Sequence, residues 1–327
     1  MSDNRLRRHR VGRFVLECGH VLEDVEQVYT LTGELNAERD NVVVVFHSLT
    51  ADADPLRWWG DVVGPGRAID TDRYAVLCAN LLGSCYGTTR PPTGVLVTPR
   101  DMVRLVRRLV DDLGVRSVAL ATGGSLGGML TLEWVAEEPS LTRAAVVFAA
   151  PAAHTAQAIG FNHIQRQVVR LLGVPGLAIA RMAAMMTYRT AAEFEARFAR
   201  ERRHDGRFQM QSYLDHQGEK FVRRFDPDAY LTLLDAMDAH DVGRDRGGVE
   251  AALRAYEGAL FGVGITGDLL YEPEIVRAWT EATGAEYRLI RSIHGHDAFL
   301  LEPEQVGRIL REALERAEEG RCRAATV

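Results

Sequence analysis

The stretch Val118–Trp134 constrains the fold of this chain more than any other part of the sequence. It begins with a short apolar run, Val118 to Thr122, that is typical of a buried strand, and after a break the apolar spacing becomes that of a helix. The break reads Gly123-Gly-Ser-Leu-Gly127, a G-x-S-x-G pattern with Ser125 at the apex of a sharp turn. We interpret it as a nucleophile elbow, because a Cβ at either outer glycine would crowd the adjoining strand and helix. The alternative interpretation is a glycine-rich turn with an idle serine.

Two backbone N–H groups are predicted to form an oxyanion hole beside Ser125. Leu126 begins the helix, and its N–H is expected to point to the same place as the serine oxygen. The second donor is expected in the loop after the β-branched run Asn41–Phe46, at the N–H of Leu49. We interpret His47, in the same loop, as a hydrogen-bonded structural histidine.

A serine nucleophile needs a base to accept its proton and a carboxylate to orient that base. Asp268 and His296 each follow a predicted strand in the C-terminal part of the chain. Ser125, Asp268 and His296 therefore occur in the chain order of the α/β-hydrolase fold. His294 is an alternative base, and Asp268 by itself could be a turn or cap residue.

Composition excludes several classes of protein. The formal net charge of -6 over 327 residues gives no reason to expect a nucleic-acid partner. The sequence has 46% hydrophobic and 26% charged residues but no run of about 18 apolar residues, so no membrane span is expected. The basic segment Met1–Arg10 is followed by no apolar core, which argues against a secretory signal. Four cysteines without C-x-x-C spacing predict reduced thiols and a cytoplasmic location. No phosphate-cradling glycine loop or metal-ligand spacing occurs, so we expect no resident cofactor and no metal.

The order of predicted elements indicates an α/β fold. Alternating apolar residues from Phe14 to Leu35 predict antiparallel strands at one edge of a sheet. Further strands, with helical patterns between them, predict a mostly parallel sheet with helices on both faces. Those strands are expected at Asn41–Phe46, Tyr74–Asn80, Val118–Thr122, Ala144–Ala149, Leu260–Thr266 and Tyr287–Ile293, with helices from Pro99 and over Pro303–Glu318.

The apolar pattern of the sequence changes between Pro151 and Gly248, where no β-branched run occurs and only amphipathic helical patterns are found. We interpret this segment as a helical lid, so that residues 1–150 and 249–327 form an α/β-hydrolase core domain and residues 151–248 a lid domain. The amphipathic helical stretches of this segment include Phe161–Leu172, Leu177–Tyr188, Ala191–Arg203 and Ala229–His240.

Distinctive strings are spread along the chain from Asn41 to Glu302. They are Phe46-His-Ser-Leu-Thr50, Trp58-Trp59, Gly64-Pro-Gly-Arg-Ala-Ile-Asp-Thr-Asp-Arg-Tyr74, Gly123-Gly-Ser-Leu-Gly-Gly-Met129, Leu132-Glu-Trp134, Phe161-Asn162, Thr187-Tyr-Arg189, Ala236-Met-Asp-Ala-His-Asp-Val-Gly-Arg244 and Gly295-His-Asp-Ala-Phe-Leu-Leu-Glu302. Together they resemble the homoserine O-acetyltransferase family of acyl-CoA-dependent transferases. The resemblance implies a ping-pong reaction in which Ser125 takes an acetyl group from acetyl-CoA, a co-substrate, and the side-chain hydroxyl of L-homoserine then attacks the acyl-enzyme. His296 would carry the proton in both halves, and Asp268 would hold its tautomer.

The resemblance also implies an acceptor site and an assembly. Arg181 and Tyr188 match the family's acceptor-binding arginine and tyrosine, and Asp297 matches its acidic partner for the α-amino group. Arg181 and Tyr188 are seven residues apart, which places them on one helix face, and a guanidinium suits bidentate binding of a carboxylate. A homodimer through the lid helices is implied by the resemblance alone.

The substrates stay open at this point. The segments Arg90–Thr98 and Thr50–Trp58 look shorter than in the family, and both are expected to border the mouth of the pocket. L-serine or another hydroxyl acceptor, and succinyl-CoA as donor, are therefore alternatives. A carboxylesterase would use the same triad with water as acceptor, and a binding protein with a dead triad is disfavoured by the intact Ser125, Asp268 and His296.

Overall fold

The structure, a computed structural model, describes residues 6–324, and side chains up to residue 321. Residues 1–5 and 325–327, which the predicted core domain includes, and the side chain of Cys322 lie outside the described part. In chain order the strands are β1 (Arg7–Val15), β2 (Val21–Thr32), β3 (Val42–Phe46), β4 (Val63–Gly64), β5 (Ile69–Asp70), β6 (Ala75–Ala79), β7 (Val118–Gly124), β8 (Thr142–Phe148), β9 (Ala259–Ile265) and β10 (Glu286–Ile290). The helices are α1 (Pro55–Trp58), α2 (Pro99–Asp112), α3 (Leu126–Glu137), α4 (Ala156–Leu172), α5 (Val174–Tyr188), α6 (Ala191–Phe198), α7 (Gln209–Val222), α8 (Pro227–Asp238), α9 (Val249–Arg254), α10 (Pro273–Thr283), α11 (Ala298–Leu301) and α12 (Pro303–Ala324), with a 3₁₀ turn at Gly295–Asp297.

Eight strands form one sheet in the order β1-β2-β6-β3-β7-β8-β9-β10, while β4 and β5 pair separately. β2 pairs antiparallel with β1 and β6, and the remaining neighbours are parallel. This arrangement confirms the predicted α/β-hydrolase fold with its antiparallel edge. β1 begins at Arg7 instead of near Phe14, because polar and charged side chains on its exposed edge hide the apolar alternation.

Alternate side chains of β3 enter two cores, one on each face of the sheet. Val44 lies in the core that contains Trp134 of α3, and Val45 lies in the core that contains Leu310 of α12. A strand covered on both faces has no polar side, which explains the unbroken β-branched run in the sequence. Burying each of these valines contributes roughly 1.5–3 kcal/mol.

Helices α4 to α8 lie between β8 and β9, in the segment predicted to be helical. α6 ends at Phe198, five residues before the predicted end at Arg203, because Ala199 leaves the helical region with a φ of 40°. α7 lies in the segment predicted to be helical but outside the four stretches named from the sequence. No helix was predicted at α10, and α12 continues past Glu318 to Ala324. The division of the chain into a core domain and a lid domain stays a prediction.

Three parallel strands bring the predicted site residues to one edge of the sheet. Ser125 follows β7 directly, Asp268 follows β9, and His296 follows β10. Because the carboxyl ends of parallel strands meet at the same edge, loops distant in sequence converge there.

Cys18, Cys78 and Cys85 are free thiols. Among residues 6–324, no helix is both long and apolar enough to cross a membrane. In the same part of the chain, no three His, Cys, Asp or Glu side chains are grouped as metal ligands.

Candidate active site

Ser125 sits in a strained turn between β7 and α3. Its φ of 58° and ψ of -124° lie outside the regions that residues with a side chain usually adopt. Its N–H donates to the Phe148 carbonyl oxygen at 3.0 Å, which ties the turn to β8. A Cβ on Gly127 would lie 2.1 Å from the Phe46 carbonyl oxygen, and a Cβ on Gly123 would lie 2.5 Å from it. Close backbone approach therefore requires both outer glycines, as the G-x-S-x-G pattern predicts.

Asp268 is buried and accepts three hydrogen bonds. Its Oδ1 accepts from the N–H groups of Leu270 and Tyr271, at 2.8 and 3.0 Å. Its Oδ2 lies 2.7 Å from Nδ1 of His296. A carboxylate can only accept, so Nδ1 carries a proton and Nε2 of the neutral ring presents its lone pair.

His296 is 2% exposed and paired on one side only. Burial opposes the charged ring, but the charge and hydrogen bond of Asp268, with the charge of Asp297, outweigh it and raise the pKa of His296. Within the described residues, Nε2 is buried and has no hydrogen-bond partner, Ser125 Oγ included. Catalytic hydrogen bonds often tighten only in the complex with substrate, so this nitrogen is available to take a proton from a hydroxyl group.

Phe299 of α11 brings the loop of His296 against the elbow. A Cβ on Gly124, the residue before Ser125, would lie 2.5 Å from Phe299 Cδ2. The Phe299 ring packs edge-on against the His296 ring, with centroids 5.9 Å apart. The Trp59 indole N–H donates to the Phe299 carbonyl oxygen at 2.9 Å and fixes the start of α11. The predicted nucleophile, base and carboxylate thus lie in one region of the molecule.

The two predicted oxyanion donors lie on adjoining segments. Leu126 is the first residue of α3, so its N–H has no acceptor within the helix. Leu49 lies in the turn after β3, and the carbonyl oxygens of Phe46 and His47 face Gly127. This contact sets the turn beside the start of α3. The role of the two N–H groups stays a prediction.

His47 is enclosed and bound on both ring nitrogens. Nδ1 lies 2.9 Å from the Ser48 carbonyl oxygen, and Nε2 accepts the Leu81 N–H at 3.3 Å. Burial lowers the pKa of His47 to about 4, so the ring is neutral at pH 7. This is the hydrogen-bonded structural histidine that the sequence predicts.

His294, the alternative base, faces a different carboxylate. Its Nδ1 lies 3.1 Å from Oε2 of Glu193, and its side chain is partly exposed. Asp268 pairs with His296 instead. The structure therefore favours His296 as the oriented base.

Tyr188 of α5 lies beside His296, and Arg181 of the same helix lies over Tyr188. The Tyr188 and His296 rings stack with centroids 5.8 Å apart at an angle of 29°. The Arg181 guanidinium lies 5.5 Å from the Tyr188 centroid and 5.2 Å from the Phe221 centroid. Arg181 forms no ion pair with any residue in the described part of the chain. Burial raises the pKa of Tyr188, so its phenol keeps its proton beside this cation.

Asp297 adjoins His296 and already has a cationic partner. Nε of Arg189 donates to Asp297 Oδ2 at 3.0 Å. Burial raises the pKa of the Asp297 carboxyl, although the charges of Arg189, His296 and Arg181 act in the opposite direction. The sequence did not predict this ion pair.

Three further residues contact the candidate site residues Asp268, His296 or Asp297, and the sequence analysis did not single them out. Tyr271 donates its N–H to Asp268, packs edge-on against His296 at 5.5 Å, and has its hydroxyl 3.0 Å from His154 Nε2. Arg189 and Phe299 are the other two. Arg189 lies in the string 187–189 and Phe299 in the string 295–302, so the family resemblance could have pointed to both. Nothing in the sequence singles out Tyr271.

The sheet order and the strand-turn-helix geometry of Ser125 define the class of this protein, the α/β-hydrolase fold. A family model described as alpha/beta hydrolase fold matches residues 41–236.

Proteins of known identity narrow the class further. The sequence is 44% identical to a homoserine O-acetyltransferase of Thermus thermophilus, over 91% of this chain and 88% of that protein. The crystal structure of homoserine O-acetyltransferase from Staphylococcus aureus has 30% identity and a TM-score of 0.83, with 95% of each chain covered. The Bacillus anthracis enzyme of the same name has a TM-score of 0.88 over 96% of this chain and 98% of its own, and its 19% identity shows the fold alone. This chain belongs to the homoserine O-acetyltransferase family, as the strings in its sequence predict.

Proposed function

We propose that this protein transfers an acetyl group from acetyl-CoA to the side-chain hydroxyl of L-homoserine. The observation that carries the proposal is the position of Arg181, a cation without an ion-pair partner among the described residues, held over Tyr188 beside His296. An amino-acid acceptor brings a carboxylate that needs such a cation, whereas water does not. Membership of the family points to the same acceptor.

In the first half of the proposed reaction, Ser125 Oγ attacks the thioester carbonyl carbon while His296 Nε2 takes the hydroxyl proton. The N–H groups of Leu49 and Leu126 would hold the oxyanion, each contributing about 3 kcal/mol. When the tetrahedral intermediate collapses, the carbon–sulfur bond breaks. His296 then gives its proton to the CoA sulfur, and the acetyl group remains as an ester on Ser125.

In the second half, the hydroxyl oxygen of L-homoserine attacks that ester, and His296 accepts its proton. The bond to Ser125 Oγ breaks, and the same proton returns to this oxygen. Arg181 and Tyr188 would hold the α-carboxylate, and Asp297 the α-amino group. Acetyl-CoA acts as a co-substrate, and the scheme uses no resident cofactor.

We also propose a homodimer through the helical segment. Large apolar side chains are exposed along α4 and α5, where soluble proteins usually present polar residues. They are Ile159, Ile164, Leu171, Leu172, Val174, Ile179 and Met186. A second copy of the chain would remove them from water. The cytoplasmic location stays a prediction.

The test is CoA release from acetyl-CoA with and without L-homoserine, with the acetylated product identified by mass spectrometry. We expect L-homoserine to accelerate the release, and L-serine and succinyl-CoA arms measure acceptor and donor choice. Release that ignores every amino acid would identify a hydrolase.

A fluorophosphonate probe tests the nucleophile directly. We expect the wild type and Ser140→Ala, a change at an exposed serine, to be labelled, and Ser125→Ala to lose both label and transfer. An unlabelled wild type would indicate a binding protein instead of an enzyme.

A further inference from the structure

The ion pair between Arg189 and Asp297 joins the helical segment to the turn that carries His296. Arg189 follows the last residue of α5, and Asp297 ends the 3₁₀ turn. Their side chains are only 15% and 17% exposed, so water screens the pair weakly. The residues are 108 positions apart in the chain, and the contact exists only in the folded protein.

Only one of the two carboxylate oxygens of Asp297 accepts a hydrogen bond from a described residue. Nε of Arg189 donates to Oδ2 at 3.0 Å. Within residues 6–324, Oδ1 accepts no hydrogen bond. Since each carboxylate oxygen has lone pairs, Oδ1 can accept from a donor that enters the site. The contact at Oδ2 restrains rotation of the carboxylate and keeps Oδ1 in one place.

Arg189 is itself held by a buried acid. Its Nη1 lies 2.8 and 3.2 Å from the two carboxylate oxygens of Glu193, whose side chain is 3% exposed. Arg197 also donates to Glu193, at 3.0 Å, but makes no contact with Asp297. Two arginines thus share one acid, and only one of them reaches the predicted acceptor site.

The next residue, Thr190, packs against both loops that carry the predicted acid and base. A Cβ on Gly267, beside Asp268, would lie 2.8 Å from Thr190 Cγ2, and a Cβ on Gly295, beside His296, would lie 3.1 Å from it. The corner between α5 and α6 therefore has little freedom to move relative to these loops. The backbone of Arg189 is therefore fixed in place, and its guanidinium can hold Asp297 in one position.

We propose that Arg189 is a positioning residue for the acceptor half of the reaction, which holds Asp297 so that its free oxygen receives the ammonium group of an amino-acid acceptor. This inference rests on the proposed function, because it requires an amino-acid acceptor between Arg181 and Asp297. Arg189 acts through Asp297 and does not itself touch the reacting atoms.

The pH at which Asp297 loses its negative charge depends on the charged groups around it. The groups that face it are Arg189, His296, Arg181 and the phenol of Tyr188. Burial raises the pKa of the Asp297 carboxyl, and among the opposing charges that of Arg189 is the strongest. Without Arg189 this pKa rises further, so the anion that binds the ammonium group is lost at a higher pH.

The experiment compares Arg189→Gln and Arg189→Lys with the matched control Arg197→Gln. Rates are measured against L-homoserine concentration from acid to neutral pH, and acetylation of Ser125 by acetyl-CoA is measured in single turnovers. For Arg189→Gln we expect the KM for L-homoserine to rise on the order of tenfold to a hundredfold, the scale of one hydrogen bond to a charged group. The acidic limb of kcat/KM for the acceptor should move to higher pH, while acetylation of Ser125 keeps its rate at neutral pH.

The controls separate positioning from simple support of the fold. Arg189→Lys should lie between Arg189→Gln and the wild type, because an ammonium keeps the charge but not the planar contact with both acids. If Arg189→Gln has a much lower melting temperature than the wild type, Arg189→Lys takes its place in the comparison of the two half-reactions. Arg197→Gln should match the wild type. Equal effects of the Arg189 and Arg197 variants, or equal slowing of both half-reactions, would overturn the inference.

The response of the wild-type enzyme to amino-acid acceptors shows whether the role of Arg189 alone or the proposed function itself is wrong. If neither L-homoserine nor L-serine accelerates CoA release by the wild type, the proposed function is wrong and the inference falls with it. If acceleration is present and Arg189→Gln leaves the acceptor KM and the acidic limb unchanged, the inference alone is wrong.

Discussion

The three hydrogen bonds of Asp268 make Asp268→Asn a sharp test of the triad. An asparagine must present its amide oxygen to the N–H groups of Leu270 and Tyr271, which now donate to Oδ1 at 2.8 and 3.0 Å. Its NH₂ then faces His296 Nδ1, and an NH₂ group can only donate. The ring must accept at Nδ1 and carry its proton on Nε2, so it cannot take the proton of Ser125.

The expected loss is large in rate and small in stability. A ring held in the wrong tautomer lowers turnover by about 10⁴-fold, or about 5 kcal/mol of transition-state stabilisation. The fold should be retained, because both backbone N–H groups keep an acceptor. Asp268→Ala is the contrasting variant. It leaves the buried N–H of Tyr271 and the partly buried N–H of Leu270 without their acceptor, and the buried group alone costs about 1–3 kcal/mol.

The assay combines single-turnover acetylation with urea denaturation and a pH profile. As the proposed base, His296 would accept a proton only above its pKa, and the charge of Asp268 contributes to raising that pKa. The neutral amide removes this charge, so the acidic limb of the residual rate should move to lower pH. An asparagine variant within about tenfold of the wild-type rate would refute the tautomer argument. So would an asparagine variant that is less stable than the alanine variant.

Three further outcomes are expected. Gly127→Ala should lower the free energy of unfolding by about 3 kcal/mol, because its Cβ would lie 2.1 Å from a carbonyl oxygen. Gly160→Ala in α4, with no atom within 4 Å of its Cβ, should leave urea stability equal or higher, and equal losses would contradict the steric reasoning. The neutral, buried His47 stabilises the fold above pH 6.5, and this contribution falls as the pH drops toward its folded pKa of about 4. Between pH 7 and pH 4.5, the free energy of unfolding of His47→Gln should therefore fall by about 2–3 kcal/mol less than that of the wild type. An equal fall in both proteins would exclude His47 as a source of acid sensitivity. Leu171→Glu, at a side chain that is 79% exposed, should weaken the proposed dimer in sedimentation velocity while the circular dichroism spectrum of the folded chain is kept, whereas a monomeric wild type would contradict the dimer.

The sequence by itself determined the features that depend on local sterics and periodicity. Gly123 and Gly127 were predicted from the shape of one turn, and the apolar pattern of 42–46 predicted a strand buried on both faces. The chain order of Ser125, Asp268 and His296 indicated the fold class, because each residue follows a strand.

Only the tertiary structure decided which distant groups meet. The choice of His296 over His294 depends on a carboxylate 28 residues away in the chain, and the pairing of Arg189 with Asp297 spans 108 residues. Such contacts are set by how helices and loops pack together in three dimensions. Periodicity and propensity describe each segment alone, so they carry no information about these distances.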